Sequence, residues 1–446
     1  MANWATKAYW SAFLLWHARG QSRFPYRSLQ DIIEIQNRRV RAIVAYAYDT
    51  VPYYREVMAQ AGLRAKDFRG ADDLARLPLL TGEQVADNPD RFLSRRYRHR
   101  PTFEIRSSGT GGHTKQIHYN PAALFILRAH RLRQRIVIKH FVGRMFGYRL
   151  LQANLPDGSI SKIGRFHSSH CWTPGRFTLQ NARISPEDAL DTNVTRINSF
   201  EPDVIFGYGF YVGNLYRQAW ERKLAIYRPK VIIYGSDRMA DADRLLIENQ
   251  FGIPVISTYG ATESMHIGFQ CERHEGFHVS IDDVAFRVVD EQGRTLGPGG
   301  TGSSVISNLI NRATVLLNYR LGDTVTLSAK PCPCGRSLPM LERIEGRADD
   351  FVILPDGRNL HSLVLTQRLQ PLPGVVQIQL CQEELRRFEL SAVCTGSADW
   401  SQLRGQLDMK LRAVLGNDIS LNLRRVDVIP PEAGGKVRAI ISRYHP

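Results

Sequence analysis

Residues 229–264 alternate in a way that few folds accommodate. "RPKVIIYGSDRM" holds a short apolar run at Val231–Tyr234 and then a turn over Gly235, Ser236 and Asp237. "ADADRLLIENQFG" spaces its apolar residues as a helix does, and "IPVISTYGATES" is a second apolar run that ends in another turn. Strand, turn, helix, strand, turn predicts parallel strands covered by helices, since a parallel pair needs a crossover long enough to be helical.

The flanking segments read differently. From about Phe277 to Leu327 the pattern is β, with "FHVSIDDVAFRVVD", a Gly/Pro turn at "GPGGTGSS" and "TVLLNYRLGD", which predicts a barrel or a small sheet. After "EGRADD" the pattern restarts as a hairpin ("FVILPDGRNL"), a helix ("DWSQLRGQLDMKLRAVLG") and a strand ("SLNLRRVDVI"). The expected class is α/β: a large N-terminal domain over 1–346, layered α/β with a β subdomain, and a small, mobile α+β domain over 347–446. A length of 446 residues suits such a division.

The N-terminal segment "WATKAYWSAFLLWHARG" reads as an aromatic-rich helix, docked on the body or on a second subunit. An interfacial membrane helix is the alternative, weakened by its few charges. No run approaches the roughly 18 apolar residues of a membrane span. A formal charge of +16 favours anionic partners, but the basic residues are spread along the chain, so no nucleic-acid arm stands out. Six cysteines are too few for a disulfide scaffold and fit a reducing cytoplasm. The chain could be a monomer or a homodimer.

Chemistry concentrates in a few motifs. "RSSGTGGHTKQIHY" gathers Ser107, Ser108, Gly109, Thr110, Gly111 and Gly112 ahead of Lys115. It lacks the spacing of a Walker loop, yet glycines that turn backbone N–H groups inward, hydroxyl donors and a lysine suit a phosphate. "YGATES" runs through Tyr259, Gly260, Ala261 and Thr262 to Glu263, a carboxylate suited to magnesium beside phosphates. "YRLGD" ends in Asp323, placed to accept bonds from ribose hydroxyls. "EGRADD" supplies Arg347, and "PPEAGGKVRA" supplies Lys436 on a glycine-rich loop. Each alone could be a turn or a solvated charge; their joint occurrence in this order argues otherwise.

That order resembles the adenylate-forming acyl ligase superfamily, and within it the phenylacetate–coenzyme A ligase family with its capsular-polysaccharide-type (CapK-like) members. "VPYYRE", "LPLLTGEQV" and "CERHEGFHV" paired with "CPCGR" add to the likeness, which spans about Leu29 to Arg443. The resemblance implies a two-step reaction. A carboxylate attacks the α-phosphate of ATP, and coenzyme A then takes the acyl group from the adenylate. It implies that Ser107–Gly112 and Lys115 cradle pyrophosphate and that Glu263 holds Mg²⁺. Tyr259 would lie against adenine beside the 235–238 turn, and Asp323 and Arg347 would serve the ribose. Lys436 would reach the α-phosphate. The chain departs from the family pattern at Gly111, Thr114, Ser236-Asp237 and Ser303, which bears on loop stiffness and pocket detail.

Cys271, His274, Cys332 and Cys334 make a C-x-x-H…C-x-C set, three thiolates and one imidazole suited to a closed structural zinc shell. His278 reads as a packed strand residue. Trp172, Tyr208, Phe210 and Tyr211 favour an aryl or other apolar acid as substrate. The leading expectation is therefore an AMP-forming acyl- or aryl-CoA ligase. The alternative passes the acyl group to an amine, hydroxyl or carrier protein in polysaccharide or natural-product assembly. A non-catalytic binding protein on a decayed scaffold is disfavoured by the presence of Glu263, Asp323 and Lys436.

Overall fold

The computed structural model describes residues 3–106, 115–156, 158–173, 175, 178–237, 239–345, 351–356, 359–361, 365, 372, 374–394, 398–429 and 440–444. A first hairpin pairs β1 (Phe103–Arg106) with β2 (Gln116–Tyr119), Arg106 opposite Gln116. Its connection is the glycine-rich stretch, so Ser107, Ser108, Gly109, Thr110, Gly111 and Gly112 lie outside the described residues.

The central sheet has eleven strands. Its parallel half runs through β3 (Arg149–Ala153), β4 (Gln180–Ile184), β5 (Val204–Tyr208), β6 (Val231–Gly235) and β7 (Val255–Tyr259), in the order β4-β3-β5-β6-β7. All five residues of β6 are buried, the pattern of a parallel strand covered on both faces. The helix predicted between β6 and β7 is present as Asp241–Leu246, prolonged by a π-helical turn over Ile247–Phe251.

The β-rich segment is neither a barrel nor a separate sheet. β8 (Gly268–Phe269), β9 (Phe277–Val279), β10 (Val284–Val289), β11 (Thr301–Asn308), β12 (Tyr319–Leu327) and β13 (Met340–Glu345) extend the same sheet in the order β8-β9-β13-β12-β11-β10. The reversal happens between β7 and β8, where Tyr259 pairs antiparallel with Gly268. An eight-residue connection is too short for a parallel crossover, so the chain folds back on its own strand.

The segment after Glu345 forms the expected hairpin, β14 (Phe351–Ile353) with β15 (Asn359–His361). Beyond it is a four-stranded sheet of β16 (Val375–Glu384), β17 (Arg387–Cys394), β18 (Ser420–Arg425) and β19 (Ile440–Ser442), ordered β18-β17-β16-β19. The helix Trp400–Leu415, capped by the Asp399 carboxylate, buries Leu403, Leu407, Leu411 and Leu415, one apolar stripe at helical spacing.

The N-terminal helix, Trp4–Ala18, docks on the body by stacking Trp10 on Phe125 at 4.6 Å between ring centroids. Trp4, Tyr9, Leu15 and Trp16 remain exposed. No described helix is long and apolar enough to cross a membrane.

The N-terminal helices are pinned to the sheet by a buried ion cluster. The fully buried Arg133 grips Asp282 through two bonds of 2.6 and 2.9 Å. Arg39 reaches Asp283 at 2.7 Å and Asp282 at 3.0 Å, and the His130 ring sits 2.7 Å from Asp283. Burial alone would raise the Asp283 carboxyl; His130, Arg133 and Arg39 outweigh it and hold it far below the ordinary aspartate value. Removing one member of a buried pair costs about 3–5 kcal/mol because its partners are left uncompensated. Asp283→Asn is therefore expected to lower the urea-unfolding free energy by about that amount. A depressed carboxyl gives its full stabilisation above about pH 4 and loses it as the pH falls further. The same titration in Asp283→Asn should show a flatter acid limb.

Candidate active site

The site lies where the parallel half of the sheet ends, at the carboxyl edge of β5, β6 and β7, the usual location for ligand crevices in open α/β sheets. Two turns define it. At the end of β6, a Cβ on Gly235 would stand 2.3 Å from the Thr258 hydroxyl, and Ser236 adopts a left-handed φ of 74°. Asp237 then accepts the backbone N–H groups of Gly209 and Phe210, capping the helix Gly209–Glu221. At the end of β7, a Cβ on Gly260 would collide with the Met265 carbonyl oxygen at 2.3 Å, so the turn closes only on glycine.

That second turn is held from three sides. Tyr119 donates its hydroxyl to the Thr262 carbonyl at 2.8 Å, Asn308 donates its amide to the Glu263 carbonyl at 2.9 Å, and the Ala261 carbonyl accepts from the Ser264 N–H at 3.1 Å. The Glu263 side chain is thereby fixed in a buried position, only 5% exposed. Lys115 donates to its Oε1 at 2.5 Å and to the Tyr319 hydroxyl at 2.7 Å, and Tyr319 donates to the same Oε1 at 2.9 Å. Burial alone would raise the Glu263 carboxyl. The Lys115 ammonium and the Tyr319 hydroxyl override that and hold it below the ordinary glutamate value.

Tyr259 donates its hydroxyl to Asp323 at 2.8 Å, joining the end of β7 to β12. Lys115, Glu263, Tyr259 and Asp323, named separately in the sequence, thus form one constellation with the 235–237 turn beside it. Arg238, Arg347 and Lys436 lie outside the described residues. Tyr319 was not assigned a role from sequence, although it opens the "YRLGD" motif four residues before Asp323.

The cysteine cluster assembles with a different imidazole. Cys271 and Cys332 place their sulfurs 3.7 Å apart, and the Cys334 sulfur is 3.3 Å from His278 Nε2. The four donor atoms of Cys271, His278, Cys332 and Cys334 lie within 4.8 Å of one another. His274 does not join them. The turn after Cys271 gives it a left-handed φ of 59°, which aims its ring at Glu248 (3.6 Å). His278 lies on β9, paired with Met340 of β13, and that register brings it beside Cys334. All six cysteines are free of disulfides.

The fold is that of adenylate-forming CoA ligases. The chain superposes on 2-hydroxyisobutyryl-CoA ligase in complex with its acyl-AMP and CoA in the thioesterification state, with a TM-score of 0.59 and 18% identity over 93% of this chain and 90% of that one. The postadenylation form of the same enzyme gives a TM-score of 0.58 at 17% identity, over 93% and 90%. Residues 352–443 match the CapK C-terminal domain. The chain is 27% identical to the phenylacetate–coenzyme A ligase of Thermus thermophilus, over 91% of this chain and 95% of the relative. It is 26% identical to that of Escherichia coli over 73% of this chain and 74% of the relative. The likeness read from the motifs recurs in these comparisons: the chain is similar to the phenylacetate–coenzyme A ligases, and its residues 352–443 match the CapK C-terminal domain.

The Lys115–Glu263–Tyr319 triangle yields an ordered set of stabilities. Tyr319→Phe leaves the ion pair and should cost about 1 kcal/mol. Lys115→Met strands a buried carboxylate and should cost about 3–5 kcal/mol. Adding Glu263→Gln to Lys115→Met should recover most of that loss. Urea denaturation of the three variants checks the order.

Proposed function

We propose that the chain activates a carboxylic acid with ATP as an acyl-adenylate and passes the acyl group to coenzyme A. The observation that carries this reading is the convergence of Lys115, Glu263, Tyr319, Tyr259 and Asp323 at the carboxyl edge of the parallel strands. The two named phenylacetate–coenzyme A ligases support it.

In the first step a carboxylate oxygen bonds to the α-phosphorus and pyrophosphate leaves. Lys115 turns from Glu263 to the phosphate oxygens, with the glycine-rich stretch 107–112 supplying N–H and hydroxyl donors. Tyr259 lies along the adenine and Asp323 accepts from the ribose, with Arg347 assisting. Lys436, carried by the domain after residue 346, offsets charge growing on the α-phosphate. In the second step the sulfur of coenzyme A bonds to the acyl carbon, AMP leaves and the thiol proton passes to solvent. Most of this is charge placement, the expected strategy at phosphorus.

Magnesium suits Glu263, a carboxylate held ionised at the site; the ion would offset phosphate charge, with Glu263 as its protein ligand. Zinc suits Cys271, His278, Cys332 and Cys334, whose donor number and type are those of a closed shell. It would tie the turn after β8 to the loop between β12 and β13, away from the chemistry.

Lys436→Ala should lose pyrophosphate release by roughly 10²–10³-fold while largely retaining thioester formation from a pre-made adenylate. Equal losses in both assays would remove the lysine from its role. Omitting coenzyme A from the second assay, and offering amines, hydroxyls or a carrier protein instead, separates the two acceptor readings. Metal analysis of protein purified without chelator should give about one zinc per chain, if the four donors form the closed shell. Cys332→Ser should abolish that zinc and lower the melting temperature; a metal-free wild type overturns the assignment.

A further inference from the structure

Four arginines lie together beneath the helices that cover the parallel half of the sheet. Arg128, Arg131 and Arg135 occur at i, i+3 and i+7 along the helices Pro121–His130 and Leu132–Val142, and so share one face. Opposite them is a row of residues in register across the sheet, Arg183 of β4, Gln152 of β3 and Phe206 of β5. The Arg131 guanidinium stands over the Phe206 ring, 5.6 Å from its centroid, and Arg183 donates to Gln152 at 3.2 Å. The two sets therefore face one another across a single recess.

Among the described residues their counter-charge is missing. Arg128 approaches the Cys171 sulfur at 3.6 Å, and Arg183 finds only the Gln152 amide oxygen and the Pro156 carbonyl. Arg183 also keeps a buried Nε without a partner. Among the described residues, no carboxylate forms an ion pair with any of the four. Asp283, which acts on the neighbouring His266, is committed to Arg39, His130 and Arg133. Arg131 is exposed by surface, yet burial among protein atoms pushes its pKa below the ordinary arginine value, followed by Arg135. The positive field is felt nearby: burial and then Arg128 depress His167 to about 3, and burial and then Arg131 depress His266 to about 3.

Unpaired guanidinium groups are costly to enclose, and a fold that needed only an apolar pocket would not gather them. The arginines also lie near the candidate active site in the fold. His266, which feels Arg131, lies three residues beyond Glu263. Phe206 is in register with Ile233 of β6, and Ile233 with Ile256 of β7, three residues before Tyr259. Two strand spacings and three residues along a strand place Phe206 on the order of 14 Å from Tyr259, the reach of a medium-length acid.

We propose that this recess holds the far end of the acyl substrate, and that the substrate is an acid carrying a second anionic group, carboxylate or phosphate, bound by Arg131 and Arg183. This rests on the acid-activating reading above and replaces an apolar tail with a charged one. Arg128 and Arg135 strengthen the field, and Phe206 supplies apolar surface beside Arg131.

The test is ATP–pyrophosphate exchange with three matched series: straight-chain α,ω-diacids, the corresponding ω-phosphono acids and the corresponding monoacids, with phenylacetate as an aryl monoacid. Wild-type kcat/KM should favour one of the doubly anionic series over its monoacid by on the order of 10²-fold. Which series wins distinguishes carboxylate from phosphate. In Arg131→Gln and in Arg183→Gln that preference should collapse towards unity, and Arg131→Lys should restore part of it. Two variants from different elements guard against a single misfolded one. Monoacids or phenylacetate used as well as the dianions would overturn the proposal and leave acid activation standing. Calorimetric titration with the same acids separates the two readings. Arg131-dependent binding of dianions without exchange supports the recess and removes the activation reading, and dianion binding that ignores Arg131 and Arg183 removes the recess.

Discussion

Two adjacent aspartates hold this molecule together. Asp282 and Asp283 enter β10 from the interior, where an ionised carboxyl is tolerated only if it is matched and hydrogen-bonded. The match comes from Arg39 on the helix Leu29–Thr50 and from His130 and Arg133 on the helical pair 121–142. One short acidic step thus fixes the height and rotation of helices distant in sequence. The helices that roof the arginine recess are the ones tied down by this cluster, so its geometry propagates into the wall of the proposed acyl pocket.

The sheet explains the site. Parallel strands deliver their turns to one edge, which gathers Asp237, Tyr259 and Glu263 from two consecutive strands. The reversal after β7 then brings β12 back beside them and adds Tyr319 and Asp323. Neither half alone would suffice: the parallel strands supply the turns, and the antiparallel strands supply the partners that orient them. A continuous sheet makes those partners part of one rigid body.

Much of this was legible from residue patterns, and the reasons for the rest are physical. The strand–helix alternation over 229–264 follows from the crossover a parallel pair requires, and it matched the observed elements. The strands of 277–327 were legible as strands, but their membership in the central sheet was not, because pairing partners are set by contacts far apart in sequence. Lys115, Glu263, Tyr259 and Asp323 could be named from motifs, since a glycine stands within three residues of each in the sequence. The imidazole beside the cysteines was misread for a related reason. Spacing suggested His274, whereas a left-handed turn and the register of β9 with β13 selected His278. The buried ion cluster and the row of arginines carry no local signature: each is assembled from three or more elements, and only the fold shows which charges meet and which do not.

The lysine that faces the turn after β7 is already engaged. Any anion arriving at Lys115 meets an ammonium bound to Glu263 and Tyr319, not one waiting in water, and binding there is an exchange of partners. The strength of such an encounter is a difference between two contacts, and the displaced carboxylate is freed as the anion settles. A site arranged in this way keeps its charges satisfied with and without its guest, so it need not loosen when emptied. It also favours release, because the residue given up on entry is still at hand to take the lysine back.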